Sequence, residues 1–153
     1  MKLLVPIDGS PESIDTVKKA IKIAKEYDCS IKLITVINQH EINRQKRYSK
    51  RWHQVDGSII SGKNEPAVGL EVKATYILSE ISESLKLYDI KIEKEVLIGK
   101  LSAKITEIAK KENFDLIVMN NRGLSKFKRL FAGAATNKIL STAPCPVLIV
   151  SQS

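Results

Sequence analysis

The most informative stretch of this chain is LIVM at residues 116–119, NNRG at residues 120–123 and, after nine further residues, GAATNK at residues 133–138. The apolar run predicts a buried strand, and the last part opens a predicted helix. A glycine-bearing loop between a strand end and a helix start directs backbone N–H groups and the positive end of the helix dipole towards one place. Glycine suits such a loop, because a Cβ would keep an anion away from the backbone. The stretch therefore predicts an anion site.

Length and composition indicate one globular domain. The chain has 153 residues, of which 43% are hydrophobic and 27% are charged, and this is enough to form a core. No apolar run approaches the ~20 residues that span a bilayer, and the apolar start of the chain is broken early, at residues 6–9. We expect a single domain over residues 1–153 that is cytoplasmic and has no membrane partner.

The cysteines and histidines do not have the spacing of metal ligands. Cys29 and Cys145 each stand at the start of a predicted strand without a CxxC partner, and we expect both to be buried free thiols. His40 and His53 lie in one predicted loop. The sequence therefore predicts no metal site.

The chain is basic, with a net charge of +8 and an isoelectric point of about 9.5. Much of this charge is lysine on predicted helix faces, where solvation explains it. A denser basic segment, residues 44–52, interleaves aromatic and cationic side chains, as single-strand nucleic-acid contacts do. The other interpretation is a solvated excursion whose Tyr48 and Trp52 cover the domain edge. We favour this interpretation and expect no nucleic-acid partner, because no recognised nucleic-acid module surrounds the segment.

Strand and helix patterns alternate along the chain. Strands are predicted at residues 2–7, 30–37, 90–98, 114–119 and 146–151. Helices are predicted after the N-cap Ser10, at residues 67–87, after the N-cap Ser102 and at residues 133–142. The first helix carries a predicted apolar stripe of Ile14, Val17, Ile21 and Ala24. The alternation predicts an α/β fold, an open parallel sheet with helices on both faces, while residues 38–66 are expected to form a basic loop or insertion.

The carboxyl ends of the predicted strands bring polar residues together. Ligands of such sheets bind outside the carboxyl ends of the strands, where the strand order reverses. The first strand leads into Asp8, the second ends near Val36 and the fourth ends at Asn120, so these residues can line one crevice. Asp8 could bind ribose hydroxyls or cap the turn that follows it, and Arg122 could face phosphate or be a surface charge.

These residues resemble the universal stress protein family. The likeness lies in residues 3–10, with their hydrophobic-Pro-x-Asp step, and in residues 34–37, 114–119, 122–125 and 143–150. It covers the chain apart from residues 38–66. The resemblance implies an open five-stranded sheet in the order 3-2-1-4-5, of the adenine nucleotide alpha hydrolase-like type. It also implies a homodimer through pairing of the last strands.

For one branch of the family the resemblance further implies that a G-x2-G-x9-G-S/T motif binds ATP or another adenine nucleotide, with or without Mg²⁺. Carried over to this chain, Asp8 and the backbone of Val36 would hold the nucleoside, and Gly123 and Gly133 would admit the phosphates. The complete set expected to line the site is Pro6, Asp8, Val36, Met119, Asn120, Arg122, Gly123, Gly133, Ala134 and Ala135.

Two positions depart from that motif: Asn120 replaces the first glycine, and Ala134 replaces the hydroxyl residue. Asparagine tolerates a left-handed backbone better than most residues, but its side chain occupies space where ribose or phosphate would come close. Ala134 keeps the backbone N–H and loses a hydroxyl contact, on the order of 1 kcal/mol or up to ~3 with a charged partner. We therefore expect a weakened nucleotide site.

The leading hypothesis is a non-catalytic regulatory dimer with a degraded adenine-nucleotide site. The alternative is an interaction module of the same fold that binds no nucleotide and acts by dimerising or by docking on another protein. A slow ATP hydrolase has little support, because no Ser/His/Asp pattern or phosphate-loop lysine is present. A receiver domain is rejected, since its third strand would end in an aspartate where this chain has Ile98 and Gly99.

Overall fold

The computed structural model describes residues 1–40, 43, 66–120 and 132–150. The described strands are β1 (Lys2–Pro6), β2 (Ser30–Ile37), β3 (Ile92–Ile98), β4 (Leu116–Asn120) and β5 (Val147–Val150). They form one parallel sheet in the order β3-β2-β1-β4-β5. The described helices are α1 (Pro11–Tyr27), α2 (Pro66–Leu85, followed by a 3₁₀ turn at Lys86–Tyr88), α3 (Leu101–Lys111) and α4 (Ala132–Thr142). The predicted sheet and strand order are confirmed.

The core has two layers because β1 is buried on both faces. Leu3 and Val5 point to one face, where they pack with Val17 of α1 and Leu78 of α2. Leu4 points to the other face, which is covered by side chains of α3 and α4, among them Ile105 and Ile139. Successive strand residues alternate between faces, so a central parallel strand is apolar throughout. The predicted helices on both faces are confirmed.

Two details of the predicted helices are wrong. Ile14 does not belong to the buried stripe of α1, since it is 46% exposed. Ser13 is buried in its place, because the turn before α1 directs this serine towards the end of β1. Ser102 is not the cap of α3: the helix begins at Leu101 after the extended N-cap Lys100, and the small Ser102 is buried inside the first turn.

The predicted insertion at residues 38–66 falls largely outside the described residues, and so does the basic segment 44–52. No helix in the described part of the chain is long and apolar enough to cross a membrane. Both cysteines are free, with Cys29 buried and Cys145 half-buried, so the expected burial is confirmed for Cys29 alone. Burial is the main cause that raises the pKa of both thiols above the usual range, and both are therefore protonated at neutral pH.

An ionic cluster around the buried side chain of Lys32 joins neighbouring strands of the sheet. The Lys32 ammonium lies 2.6 Å from Oε1 of Glu112 and 2.7 Å from Oε2 of Glu95, and its side chain is only 11% exposed. The Nζ of Lys2 donates to the backbone carbonyl of Glu112 at 2.8 Å. The cluster therefore connects β1, β2 and β3 with the end of α3. Its lysines, Lys2 and Lys32, lie towards the amino ends of β1 and β2, away from the carboxyl ends predicted to bind a ligand.

Candidate functional site

The strand order reverses between β1 and β4, and there the two strands part. They pair at Leu3↔Leu116 and Leu4↔Ile117, whereas the pairing of β1 with β2 continues to Pro6↔Ile34 and that of β4 with β5 to Asn120↔Val150. Proline has no N–H to continue a ladder, so Pro6 favours this parting. The two strands part at the carboxyl edge, in the position where open α/β sheets bind ligands, and we call the space between their ends the crevice.

Asp8 follows β1 at the mouth of this crevice and is fixed by the turn into α1. Its Oδ1 accepts a hydrogen bond from the backbone N–H of Ser10 at 2.9 Å and another from the hydroxyl of Ser13. Its own backbone N–H donates to Oγ of Ser13 at 3.1 Å. Asp8 is exposed, and among the described residues its Oδ2 has no hydrogen-bond partner. Oδ1 therefore stabilises the turn, as one of the two sequence interpretations expects, whereas Oδ2 faces solvent and the ribose contact stays a prediction.

Gly9 allows the chain to turn sharply after Asp8. Its φ is +79°, and a Cβ at this position would lie 2.8 Å from Cδ1 of Ile77 in α2. A larger residue would be strained by the backbone angle, and the side chain of Ile77 would have to shift to make room for it. Ser10 then caps α1, because its side chain accepts from the backbone N–H of Ser13. The turn therefore holds the Asp8 carboxylate in one orientation.

Val36 contributes its backbone to the crevice. The carbonyl of Ile34 accepts from the N–H of Ile7 at 2.8 Å, whereas the carbonyl of Ile37 accepts from Gly99 on the other side of β2. Backbone groups alternate in direction along a strand, so the N–H and C=O of Val36 point to the β1 side, beyond the end of that strand. The hydroxyl of Thr35 donates to the carbonyl of Ile7 at 3.1 Å and fixes this corner.

The β4 side of the crevice is described in part. Asn120 is the last residue of β4 and is 8% exposed, while Met119 is 1% exposed in the core, so Met119 can meet a ligand only through its backbone. The helix α4 begins at Ala132, one residue before the predicted start, which places Gly133 and Ala134 in its first turn. The N–H groups of a first turn have no partner within the helix. Arg122 and Gly123 lie outside the described residues.

Sequence reasoning did not identify Ser13 or Thr35 as part of the site. The signal for Ser13 was present as serines at positions 10 and 13 after an aspartate, a pattern in which hydroxyls satisfy the first turn of a helix. Thr35 gave no signal, because a threonine inside a strand is ordinary. In the described ranges, no group of three or more His, Cys, Asp or Glu residues is arranged to hold a metal ion.

These observations define the class of protein: an open parallel α/β sheet with a crevice at its switch point. The model of the universal stress protein family matches residues 1–151, and the chain belongs to this family. Among its relatives, Universal stress protein MJ0531 of Methanocaldococcus jannaschii is 29% identical over 99% of this chain and 82% of its own length. Universal stress protein YxiE of Bacillus subtilis is 28% identical over 97% of both chains.

Solved structures have the same fold at lower identity. Hypothetical protein MJ0577 superimposes with a TM-score of 0.76 at 21% identity, over 99% of this chain and 96% of that one. A universal stress protein in complex with cAMP superimposes with a TM-score of 0.66 at 21% identity, over 100% of this chain and 98% of that one. A universal stress protein family protein of Arabidopsis thaliana with AMP bound superimposes with a TM-score of 0.59 at 17% identity, over 100% of this chain and 92% of that one. These likenesses establish the fold.

Proposed function

We propose that this chain is a cytoplasmic, non-catalytic regulatory protein that binds an adenine nucleotide in the crevice between β1 and β4 and acts as a homodimer. Universal stress proteins are generally regarded as non-enzymatic stress proteins. The observation that carries the nucleotide proposal is the parting of β1 from β4 beside the fixed Asp8 carboxylate.

The chemistry of the crevice suits a nucleoside with attached phosphate. Oδ2 of Asp8 can accept hydrogen bonds from ribose hydroxyls, and the N–H and C=O of Val36 can pair with the polar edge of a base. The first turn of α4 offers N–H groups and a positive dipole end to phosphate. Family structures contain cAMP and AMP, and both ligands carry these three parts. Mg²⁺ would be held mainly by phosphate oxygens.

Isothermal titration calorimetry with AMP, cAMP and ATP, each with and without Mg²⁺, tests the proposal. We expect saturable binding with a dissociation constant of about 10 μM to 1 mM, because Asn120 and Ala134 weaken the site. Absence of heat for all three ligands at about millimolar concentration would support the interaction module that binds no nucleotide.

The variant Ala134→Ser should bind nucleotide more tightly than the parent. A hydroxyl in the first turn of α4 adds one hydrogen bond to a phosphate, and this corresponds to about a fivefold to tenfold gain in affinity. Ala134 is exposed, so the added oxygen needs no room in the core. Calorimetry with ATP measures the gain, and Ala103→Ser on the exposed face of α3 is the matched control. Equal affinity of parent and variant would exclude phosphate from this helix end.

The dimer proposal rests on β5. This strand pairs with β4 alone among the described strands, so its other edge offers unpaired backbone groups. Its residues, Val147–Val150, are all apolar and half-buried. Natural proteins rarely leave an apolar strand edge open, because it pairs readily with another chain. A second copy of β5 would extend the sheet and cover this edge.

The variant Ile149→Pro should be monomeric where the parent is dimeric. Pro146 directs its carbonyl to Ile117 of β4, so by alternation the N–H of Ile149 points to the open edge. Proline removes this donor and is tolerated where the N–H faces outwards. Sedimentation equilibrium measures the mass, with Ile149→Val as the control that keeps the N–H. A dimeric Ile149→Pro variant would contradict pairing through β5.

A further inference from the structure

A groove runs between α1 and β5, on the face of the sheet that α1 covers and away from the nucleotide crevice. Its volume is about 360 Å³, and it is lined by Asp15, Lys18, Lys19, Lys22 and residues 148–150. The four α1 residues stand at i, i+3, i+4 and i+7 and therefore form one stripe along the helix. The groove exists because α1 packs over β1 and β4 and contacts β5 less.

The floor of the groove is apolar and incompletely covered. Leu148 and Val150 point to the α1 face and are half-buried at the margin of the core cluster. Half-buried aliphatic side chains in a concave surface gain free energy when a partner covers them, about 25 cal/mol per Å² of apolar surface removed from water. This floor favours a ligand that has apolar side chains.

The wall of the groove is cationic. Lys18 is 69% exposed and lies 3.6 Å from Asp15, which partly neutralises it. Lys19 and Lys22 are exposed and make no ion pair with any described residue. A second copy of this chain would bring further positive charge to the stripe, because the chain carries a net +8. An anionic partner is therefore favoured over self-association at this face.

We propose that this groove docks an acidic amphipathic segment of a partner protein, with carboxylates against Lys19 and Lys22 and apolar side chains on Leu148 and Val150. Nucleic acid fits less well, since a phosphate backbone leaves the apolar floor uncovered. The site uses the α1 side of β5 and leaves the edge of that strand free, so it goes beyond the nucleotide and dimer proposals and does not depend on them.

The test uses a synthetic helical peptide with leucine on one face and glutamate on the other. Fluorescence anisotropy should show saturable binding to the full chain, weakened about tenfold or more by Lys19→Glu/Lys22→Glu. The matched control Lys110→Glu/Lys111→Glu reverses two exposed lysines on α3 and should change the affinity by less than about twofold. A peptide with serine in place of leucine should bind at least about tenfold more weakly.

Several results would overturn this proposal. Equal affinity for the leucine and serine peptides would show that charge alone attracts the peptide. An equal loss of affinity in Lys19→Glu/Lys22→Glu and in Lys110→Glu/Lys111→Glu would show that the site lies elsewhere. Tighter binding of an oligothymidylate of matched charge would indicate a nucleic-acid surface. A change of mass in sedimentation equilibrium on Lys19→Glu/Lys22→Glu would indicate an interface between copies of this chain.

Discussion

Replacing Asp8 with asparagine should lower the affinity for AMP by about tenfold to a hundredfold without destabilising the fold. The carboxylate has separate roles for its two oxygens. Oδ1 holds the turn through Ser10 and Ser13, and an asparagine carbonyl can accept the same bonds. Oδ2 is the atom available to ribose, and its replacement by an amide N–H₂ removes a charged acceptor contributing about 1.5–3 kcal/mol.

The controls for Asp8→Asn separate binding from folding. Glu26→Gln removes one negative charge from an exposed position of α1 far from the crevice, and its affinity for AMP should equal that of the parent. The thermal midpoint of Asp8→Asn should match the parent, because the turn is kept. An unchanged affinity would show that Asp8 acts only as the cap of its turn.

The variant Lys32→Ala should lose about 2 kcal/mol of unfolding free energy, because it leaves Glu95 and Glu112 without their shared cation. Removing one partner of a buried ion pair costs ~3–5 kcal/mol, and the partial exposure of the two glutamates reduces this figure. For a chain of this length the thermal midpoint should fall by about 4–8 °C. Differential scanning calorimetry measures the change, and Lys18→Ala, an exposed lysine with a single weak pair, is the matched control.

The pH dependence of this cluster follows from the pKa of Lys32. Burial opposes the charge of Lys32, but the hydrogen bonds that its ammonium donates to Glu112 and Glu95, together with the negative charges of these carboxylates, outweigh burial and raise the pKa of Lys32 above its usual range. A group whose pKa is higher in the folded than in the unfolded state contributes fully to stability at pH values below its unfolded-state pKa, which is about 10.4 for lysine. This contribution is lost as the pH rises through the folded-state pKa. The difference between parent and Lys32→Ala should therefore be constant from pH 7 to about 10 and shrink above it. A difference that already shrinks between pH 7 and about 10 would contradict the ion pairing.

The architecture could be predicted from the sequence because its signals are local. The apolar runs that became β1, β2 and β4 lie where periodicity placed them, and alternation with helices determines a parallel sheet. The N-cap Ser10 was predictable, since the hydroxyl, the following proline and the acid form one local pattern. The N-cap of α3 was not predictable, because Lys100 caps this helix without a side-chain hydrogen bond and leaves no such pattern in the sequence.

The positions of Asp8, Val36 and Asn120 near the carboxyl ends of their strands were predictable, whereas the details around them were not. The carboxyl ends of parallel strands share one edge, so Asp8, Val36 and Asn120 were expected together. The parting of β1 from β4 depends on the register between segments more than a hundred residues apart, Leu3↔Leu116, and no local pattern reports it. The hydrogen bond from Ser13 to Asp8 depends on how the first turn of α1 packs, and the same packing exposes Ile14. This arrangement is set by tertiary packing.

The most direct test of the account is a ¹⁵N-resolved NMR titration of the full chain with AMP, which reports where the nucleotide binds. A nucleotide site between β1 and β4 predicts saturable shifts centred on the amides of Gly9, Val36 and Ala134, with the amides of Lys2 and Lys32, towards the amino ends of β1 and β2, unchanged. Shifts confined to other surfaces, or none at about millimolar AMP, would contradict a nucleotide site between β1 and β4.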